Sequence, residues 1–206
     1  MKIKLTEVGK RYNRDWIFRN VNYEFNAGEA YVILGSNGSG KSTLLQLIAG
    51  NQLLSEGNIE YASENINIPA EKIFQHISFA SPYLELIEEY SLSEIITFHA
   101  QFKSIFKGIS LSQIIEITGL AKSKDKELKY FSSGMKQRIR LALAILSDTP
   151  ILLLDEPTSN LDKKGVEWYS QLIQNYTKNR IVIICSNHQL HEYEFCKHQI
   201  LIEDYK

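Results

Sequence analysis

Gly35-Ser36-Asn37-Gly38-Ser39-Gly40-Lys41-Ser42-Thr43 is the stretch whose reading decides the fold. It fits the phosphate-cradle pattern G-x-x-x-x-G-K-[ST]. Ala30-Tyr31-Val32-Ile33-Leu34 before it is short, apolar and strand-like. Leu44, Leu45, Leu47 and Ile48 after it recur at helical spacing until Gly50 stops the run. Strand, glycine loop and helix in that order wrap backbone N–H groups around a polyphosphate. The glycines keep side chains clear of the anion. Lys41 reads as the group that reaches the β- and γ-phosphates, and the Ser42 hydroxyl as a ligand of Mg²⁺. A plain surface turn would not need Lys41 and Ser42 in register behind a strand and ahead of a helix, so the stretch is read as binding a nucleoside triphosphate.

A second chemistry-bearing point lies far downstream. Ile151-Leu152-Leu153-Leu154 follows Pro150 as an apolar strand, and Asp155-Glu156 stand at its carboxyl end. In a parallel sheet the loops at the carboxyl ends of the strands line the ligand crevice. Asp155 there is placed to share Mg²⁺ with Ser42. Glu156 is placed to orient or deprotonate a water aimed at the γ-phosphate.

The bulk of the chain fits this picture. At 206 residues, with 44% hydrophobic and 23% charged residues, it is long enough for one compact domain with a small insertion. A net charge of −1 gives no general electrostatic case for nucleic acid or an anionic membrane. Cys185 and Cys196 have no metal-binding spacing and read as reduced thiols. No apolar run approaches the ~18 residues of a membrane span, and Met1-Lys2-Ile3-Lys4-Leu5 lacks the apolar core of a signal peptide. A membrane role would need another chain to supply the span.

Ile3 and Leu5, and then Val21, Tyr23 and Phe25, alternate with polar residues and predict half-exposed antiparallel strands. Ser55-Glu56-Gly57-Asn58 reads as a turn, residues 62–72 as a polar loop, and Ile73 to Ala80 as a strand. Ser91-Leu92-Ser93-Glu94 and Ser110-Leu111-Ser112-Gln113 match the helix-opening capping box, so 83–130 reads as a helical insertion. Ser132 or Ser133 then caps a helix striped by Met135, Ile139, Ala142, Leu143 and Leu146. A helix through Val166, Tyr169, Leu172, Ile173 and Tyr176, the apolar strand Ile181 to Cys185 and a last strand at Ile200–Ile202 complete a parallel α/β core.

Phe131-Ser132-Ser133-Gly134-Met135-Lys136-Gln137-Arg138 ahead of Asp155 resembles the signature of the ATP-binding cassette (ABC) ATPases, usually L-S-G-G-Q. Phe131 stands in the Leu place, Ser133 in that of the first Gly and Met135 in that of the Gln. The resemblance spans essentially the whole chain. It implies an α/β fold with a P-loop NTPase core, a mostly parallel sheet, an N-terminal antiparallel β-subdomain and an inserted α-helical subdomain. It implies one ABC ATPase domain over 1–206, with 1–82 and 131–206 as nucleotide-binding core and about 83–130 as helical subdomain.

By the same resemblance, ATP and Mg²⁺ are the expected ligands, held by Gly35 to Thr43, with Ser42 and Asp155 on the metal. Tyr12, with Trp16 in reserve, is expected to stack on adenine. Ser132, Ser133 and Gly134 are expected to reach the nucleotide of a second, opposing ABC subunit, which Ser159-Asn160-Leu161-Asp162 would also touch. Glu156 is the expected base, and His188 the expected contact to the γ-phosphate beside Lys41. The implied role is the ATPase subunit of an ABC transporter of bacterial type, cytoplasmic and peripheral at the membrane through a separate transmembrane permease, with no nucleic-acid partner. The alternatives are a soluble ABC ATPase, such as the iron–sulfur assembly type, and a nucleotide-gated module with weak hydrolysis. One departure stands out: at the glutamine place after Phe79-Ala80-Ser81 the chain has Pro82, whose side chain cannot ligate a metal. Glu85, Glu88 and Glu89 are the nearby acids that the sequence offers in its stead.

Overall fold

The computed structural model describes residues 1–64 and 66–206. Two sheets organise them. The first is antiparallel, in the order β2-β1-β4-β5, built from β1 (Lys2–Tyr12), β2 (Asp15–Asn26), β4 (Glu56–Ser63) and β5 (Ile66–Ile68). The second is parallel, in the order β6-β7-β8-β3-β9, built from β3 (Ala30–Leu34), β6 (Ile77–Ala80), β7 (Ile151–Asp155), β8 (Ile181–Ser186) and β9 (His198–Leu201).

Each layer follows from its side-chain pattern. In β1, Ile3, Leu5 and Val8 are buried among exposed Lys2, Lys4, Thr6 and Glu7, and a register shift between Leu5 and Val8 keeps the apolar side inward. β7 and β8 are buried at every position and apolar up to their closing Asp155 and Ser186, because both faces of the parallel sheet are covered. Leu152 and Leu154 face one core, with α4 (Ser133–Leu146) and α5 (Lys163–Tyr176). Ile151 and Leu153 face the other, with α1 (Lys41–Ile48) and the antiparallel sheet. A strand of uniform hydrophobicity thus divides its residues between two cores with a period of two.

The 83–130 segment holds α2 (Leu92–Phe102) and α3 (Leu111–Thr118), which pack against α4. Both start with the expected capping boxes: Ser91 accepts from Glu94 N, Ser110 from Gln113 N, and each acid or amide reaches back. Ser132, not Ser133, caps α4, its hydroxyl accepting from Met135 N at 3.2 Å. Asp162 caps α5 through Gly165 N at 2.7 Å. A short α6 (Leu190–Tyr193) follows β8.

Three local expectations are corrected. Ser55–Asn58 is not a free turn, since β4 begins at Glu56; Gly57 lies so close to β1 that a Cβ there would sit 2.3 Å from the Glu7 carbonyl oxygen. Residues 62–72 are not one loop: Ile66–Ile68 pair with the edge of β4 through backbone groups, which polar side chains do not prevent. The run from Ile73 is a 3₁₀ helix, Ala70–His76, and the strand starts only at Ile77. Its neighbour β7 begins at Ile151, the register partner of Ile77, so the sheet offers nothing to pair with earlier. Asn65, within the 62–72 reading, lies outside the described residues.

Leu153, fully buried in the central strand β7, reports on this packing. Leu153→Ala should destabilise the chain by about 3 kcal/mol in urea unfolding, as expected for a buried leucine that cannot be refilled.

Candidate functional site

The phosphate loop leaves β3 at Gly35 and enters α1 at Lys41. Gly40 is the N-cap with φ +109, so α1 has no side-chain cap, and Leu44 N is bonded back to Gly40 O. The N–H groups of the first turn therefore face the cavity with the positive end of the helix dipole behind them. A Cβ at Gly40 would also lie 2.6 Å from Ile17 Cγ2, so the position needs glycine for both backbone and space. Ser39 N closes the loop onto Ser36 O at 3.1 Å. The Lys41 ammonium, nearly buried, donates to Gly35 O at 2.8 Å and Ser36 O at 2.9 Å and so holds the loop from within.

β8 separates β3 from β7 in the sheet, yet the ends of the outer two strands meet over it. Ser42 Oγ donates to Asp155 Oδ1 at 3.0 Å. Asp155 is 2% exposed. Burial, with a smaller contribution from the Glu156 charge, pushes its carboxyl up to about 6, while the Ser42 bond and Lys41 oppose the rise. A hydroxyl and a carboxylate are hard oxygen donors of the kind Mg²⁺ takes; Ser42 lines the phosphate-loop cavity and Asp155 is bonded to it from behind, so the donor set fits that ion.

Glu156 has φ +41, a left-handed conformation uncommon for a residue with a side chain. Its N–H donates to Cys185 O at 2.9 Å, which fixes the turn at the end of β7. The side chain lines the cavity of about 300 Å³ formed with Asn37 to Thr43, Ile17 and Tyr83. It also lines an adjoining polar cavity with Thr158, Ser159, Asn187 and His191.

The structure brings Lys41, Ser42, Asp155 and Glu156 together, and the rest less directly. Ser132, Ser133 and Gly134 line a separate cavity of about 300 Å³ with Asn160 and Asp162, and no residue lines both this cavity and that of the phosphate loop. A Cβ on Gly134 would fall 2.7 Å from Asn160 O, so glycine there lets α4 lie against the 159–162 loop. His188 is exposed, with φ +55, and lines neither cavity at Glu156. Tyr12 is 47% exposed and its hydroxyl donates to Gln52 Oε1 at 2.9 Å, whereas Trp16 lies under the Arg19 guanidinium at 4.1 Å.

Several groups at the site were not singled out from the sequence. Glu192 is buried and accepts from Thr158 N at 3.0 Å, from Thr158 Oγ1 at 2.7 Å and from Ser186 Oγ. It ties the loop after Glu156 to the end of β8. Gln137 Nε2 donates to Pro157 O at 3.0 Å and ties that loop to α4. Glu203 Oε1 accepts from Ser36 N at 2.7 Å and Ser36 Oγ at 3.0 Å and anchors the start of the phosphate loop. None of these carries a pattern in a single sequence, since each contact joins residues from separate elements.

A family profile described as ABC transporter matches residues 18–159, more than half of the chain. The bacitracin transport ATP-binding protein BcrA of Bacillus licheniformis is 32% identical over 93% of this chain, which spans 63% of that relative's length. The energy-coupling factor transporter ATP-binding protein EcfA1 of Thermotoga maritima is 32% identical over 92% of this chain and 74% of its own. Among solved structures, a dimeric ATP-binding cassette in a post-hydrolysis state bound to ADP and Pi superposes with a TM-score of 0.82 at 25% identity, covering 97% of this chain and 94% of that one.

The raised carboxyl of Asp155 gives a pH signature. Its folded value of about 6 lies above the ~3.9 of an unfolded aspartate, so the folded state holds the proton more tightly. Its contribution to stability therefore falls as pH rises from about 4 to about 6, and stays lost above. Without added metal, Asp155→Asn should be more stable than the parent chain by about 1–2 kcal/mol above pH 6.5, with the gap closing toward pH 4. Urea unfolding of both proteins across that range measures it.

Proposed function

The chain belongs to the ABC transporter family, and on that premise we propose that it is the ATP-binding and ATP-hydrolysing subunit that powers a separate membrane-spanning permease. The observation that carries the reading is the Ser42–Asp155 contact beneath an uncapped helix N-terminus, with Glu156 beside it. The backbone N–H groups of Gly38 to Thr43 would hold the β- and γ-phosphates, and Lys41 would exchange its loop carbonyls for phosphate oxygens. Ser42 and Asp155 would hold Mg²⁺, which when bound neutralises charge on those phosphates. Tyr12 is the proposed platform for adenine.

The Glu156 carboxylate accepts a proton from water as the water oxygen bonds to the γ-phosphorus and the bond to the ADP oxygen breaks. His188 steadies the transferring phosphoryl group once closure brings its loop inward. The separateness of the signature cavity supports an assembly of two copies, or of this chain with a homologous one. In it Ser132, Ser133 and Gly134 of one subunit cover the γ-phosphate held by the other. The exposed hydroxyl of Ser133 at the start of α4 is free for that contact.

Among the described residues no helix is long and apolar enough to cross a membrane, which supports a separate permease. An apolar groove of about 330 Å³, lined by Phe74, Phe79, Leu84, Leu86, Lys103 and Arg140, runs between the parallel sheet and the 83–130 segment and is its proposed seat.

Glu156→Gln keeps size and hydrogen bonding but removes the base. Turnover should fall about a hundredfold while ATP binding persists, and the variant should elute as a dimer only when ATP is present. Unchanged turnover in that variant would refute the assignment of the base.

A further inference from the structure

Both carboxylate oxygens of Asp155 are engaged, and by different serines. Oδ1 takes the Ser42 hydroxyl at 3.0 Å, and Oδ2 takes the Ser81 hydroxyl at 3.5 Å. Ser42 faces the phosphate-loop cavity, whereas Ser81 does not line it and is only 3% exposed. Ser81 directly follows β6, whose Ala80 is in register with Leu154 of β7, so the two strands deliver Ser81 and Asp155 side by side.

The direction of the Ser81 hydroxyl is set locally. Its oxygen accepts from Tyr83 N at 3.3 Å, and its backbone carbonyl accepts from Leu84 N at 3.1 Å in the same turn. With the oxygen accepting on one side, its hydrogen is left for the carboxylate. Asp155 is almost fully buried, so without Ser81 its second oxygen would lose its side-chain donor. The three nearby acids do not take this part. Glu85, Glu88 and Glu89 are exposed, and Glu88 pairs with Lys136. Pro82, at the glutamine place, has no polar side chain, and the hydroxyl one residue earlier is what this turn brings to the aspartate.

We propose that Ser81 is a positioning residue of the divalent-cation site, holding the Asp155 carboxylate so that Oδ1 and the Ser42 hydroxyl are presented together to the ion; the inference rests on the ATPase reading above. Carboxylate ligands of metals are themselves held by hydrogen bonds, and removing such a partner costs about 10–100-fold in metal affinity. The same turn continues to Leu84, whose carbonyl accepts from Arg140 Nε at 2.6 Å. Ser81 thereby connects the metal aspartate to the groove proposed for the permease.

The test uses the full chain with a non-hydrolysable ATP analogue, and reads Mn²⁺ binding by the loss of free-ion EPR signal. In Ser81→Ala the Mn²⁺ dissociation constant should rise about tenfold, while analogue affinity in EDTA stays at the parent value and the melting midpoint of the metal-free protein falls by only a few degrees. Ser81→Thr, which keeps the hydroxyl, should return the constant to within about twofold of the parent. An unchanged Mn²⁺ constant in Ser81→Ala overturns the proposal. Should the alanine variant fold poorly, Ser81→Cys decides, since parent-like Mn²⁺ binding with only a weak thiol donor also overturns it. A parent chain that binds no analogue, or no Mn²⁺ with it, would instead sink the ATPase reading itself.

Discussion

Everything at the site depends on five strands running in one direction. Because β6, β7, β8, β3 and β9 are parallel, each leaves the sheet at the same edge, and the groups that follow them are gathered there. The phosphate loop follows β3, Asp155 and Glu156 end β7, and Ser81 follows β6. The hydrogen bond from Ser42 to Asp155 spans the width of β8 and can form only if all three strands keep register. The register is fixed by apolar side chains packed into two cores, so the chemistry at the edge is a product of packing well below it.

Much of this was legible in the sequence, for reasons that differ from element to element. The phosphate loop could be read because its glycines, Lys41 and Ser42 are constrained within one short segment by backbone geometry and a single anion. The capping boxes at Ser91 and Ser110 could be read because each partner lies three residues away. The 62–72 region reads as a loop although it holds β5, because β5 is joined by backbone bonds to an edge strand and side-chain polarity says little about such bonds. Ile73 reads as strand from sequence because a short apolar run looks alike in a strand and in a helical turn.

At the site, the limit was set by distance along the chain. Ser81, Gln137, Glu192 and Glu203 act on residues far away in sequence, and each residue type is common in ordinary roles. The departure at Pro82 could be seen from the sequence, but not what stood in its place. The sequence offers acids there, the stronger ligands, whereas the structure puts a small neutral hydroxyl at the aspartate, which a second buried carboxylate would repel.

The contact between Gly134 and Asn160 has a further consequence. The loop from Pro157 to Asp162 begins directly after Glu156, and it is fastened to α4 by Gln137 on one side and by the close approach at Gly134 on the other. Glu156 and the exposed serines at the start of α4 are therefore tethered to each other through this loop. In the proposed head-to-tail pair, this tether would let a shift at one nucleotide alter the lid offered to the other, a mechanical means by which the two pockets could take turns.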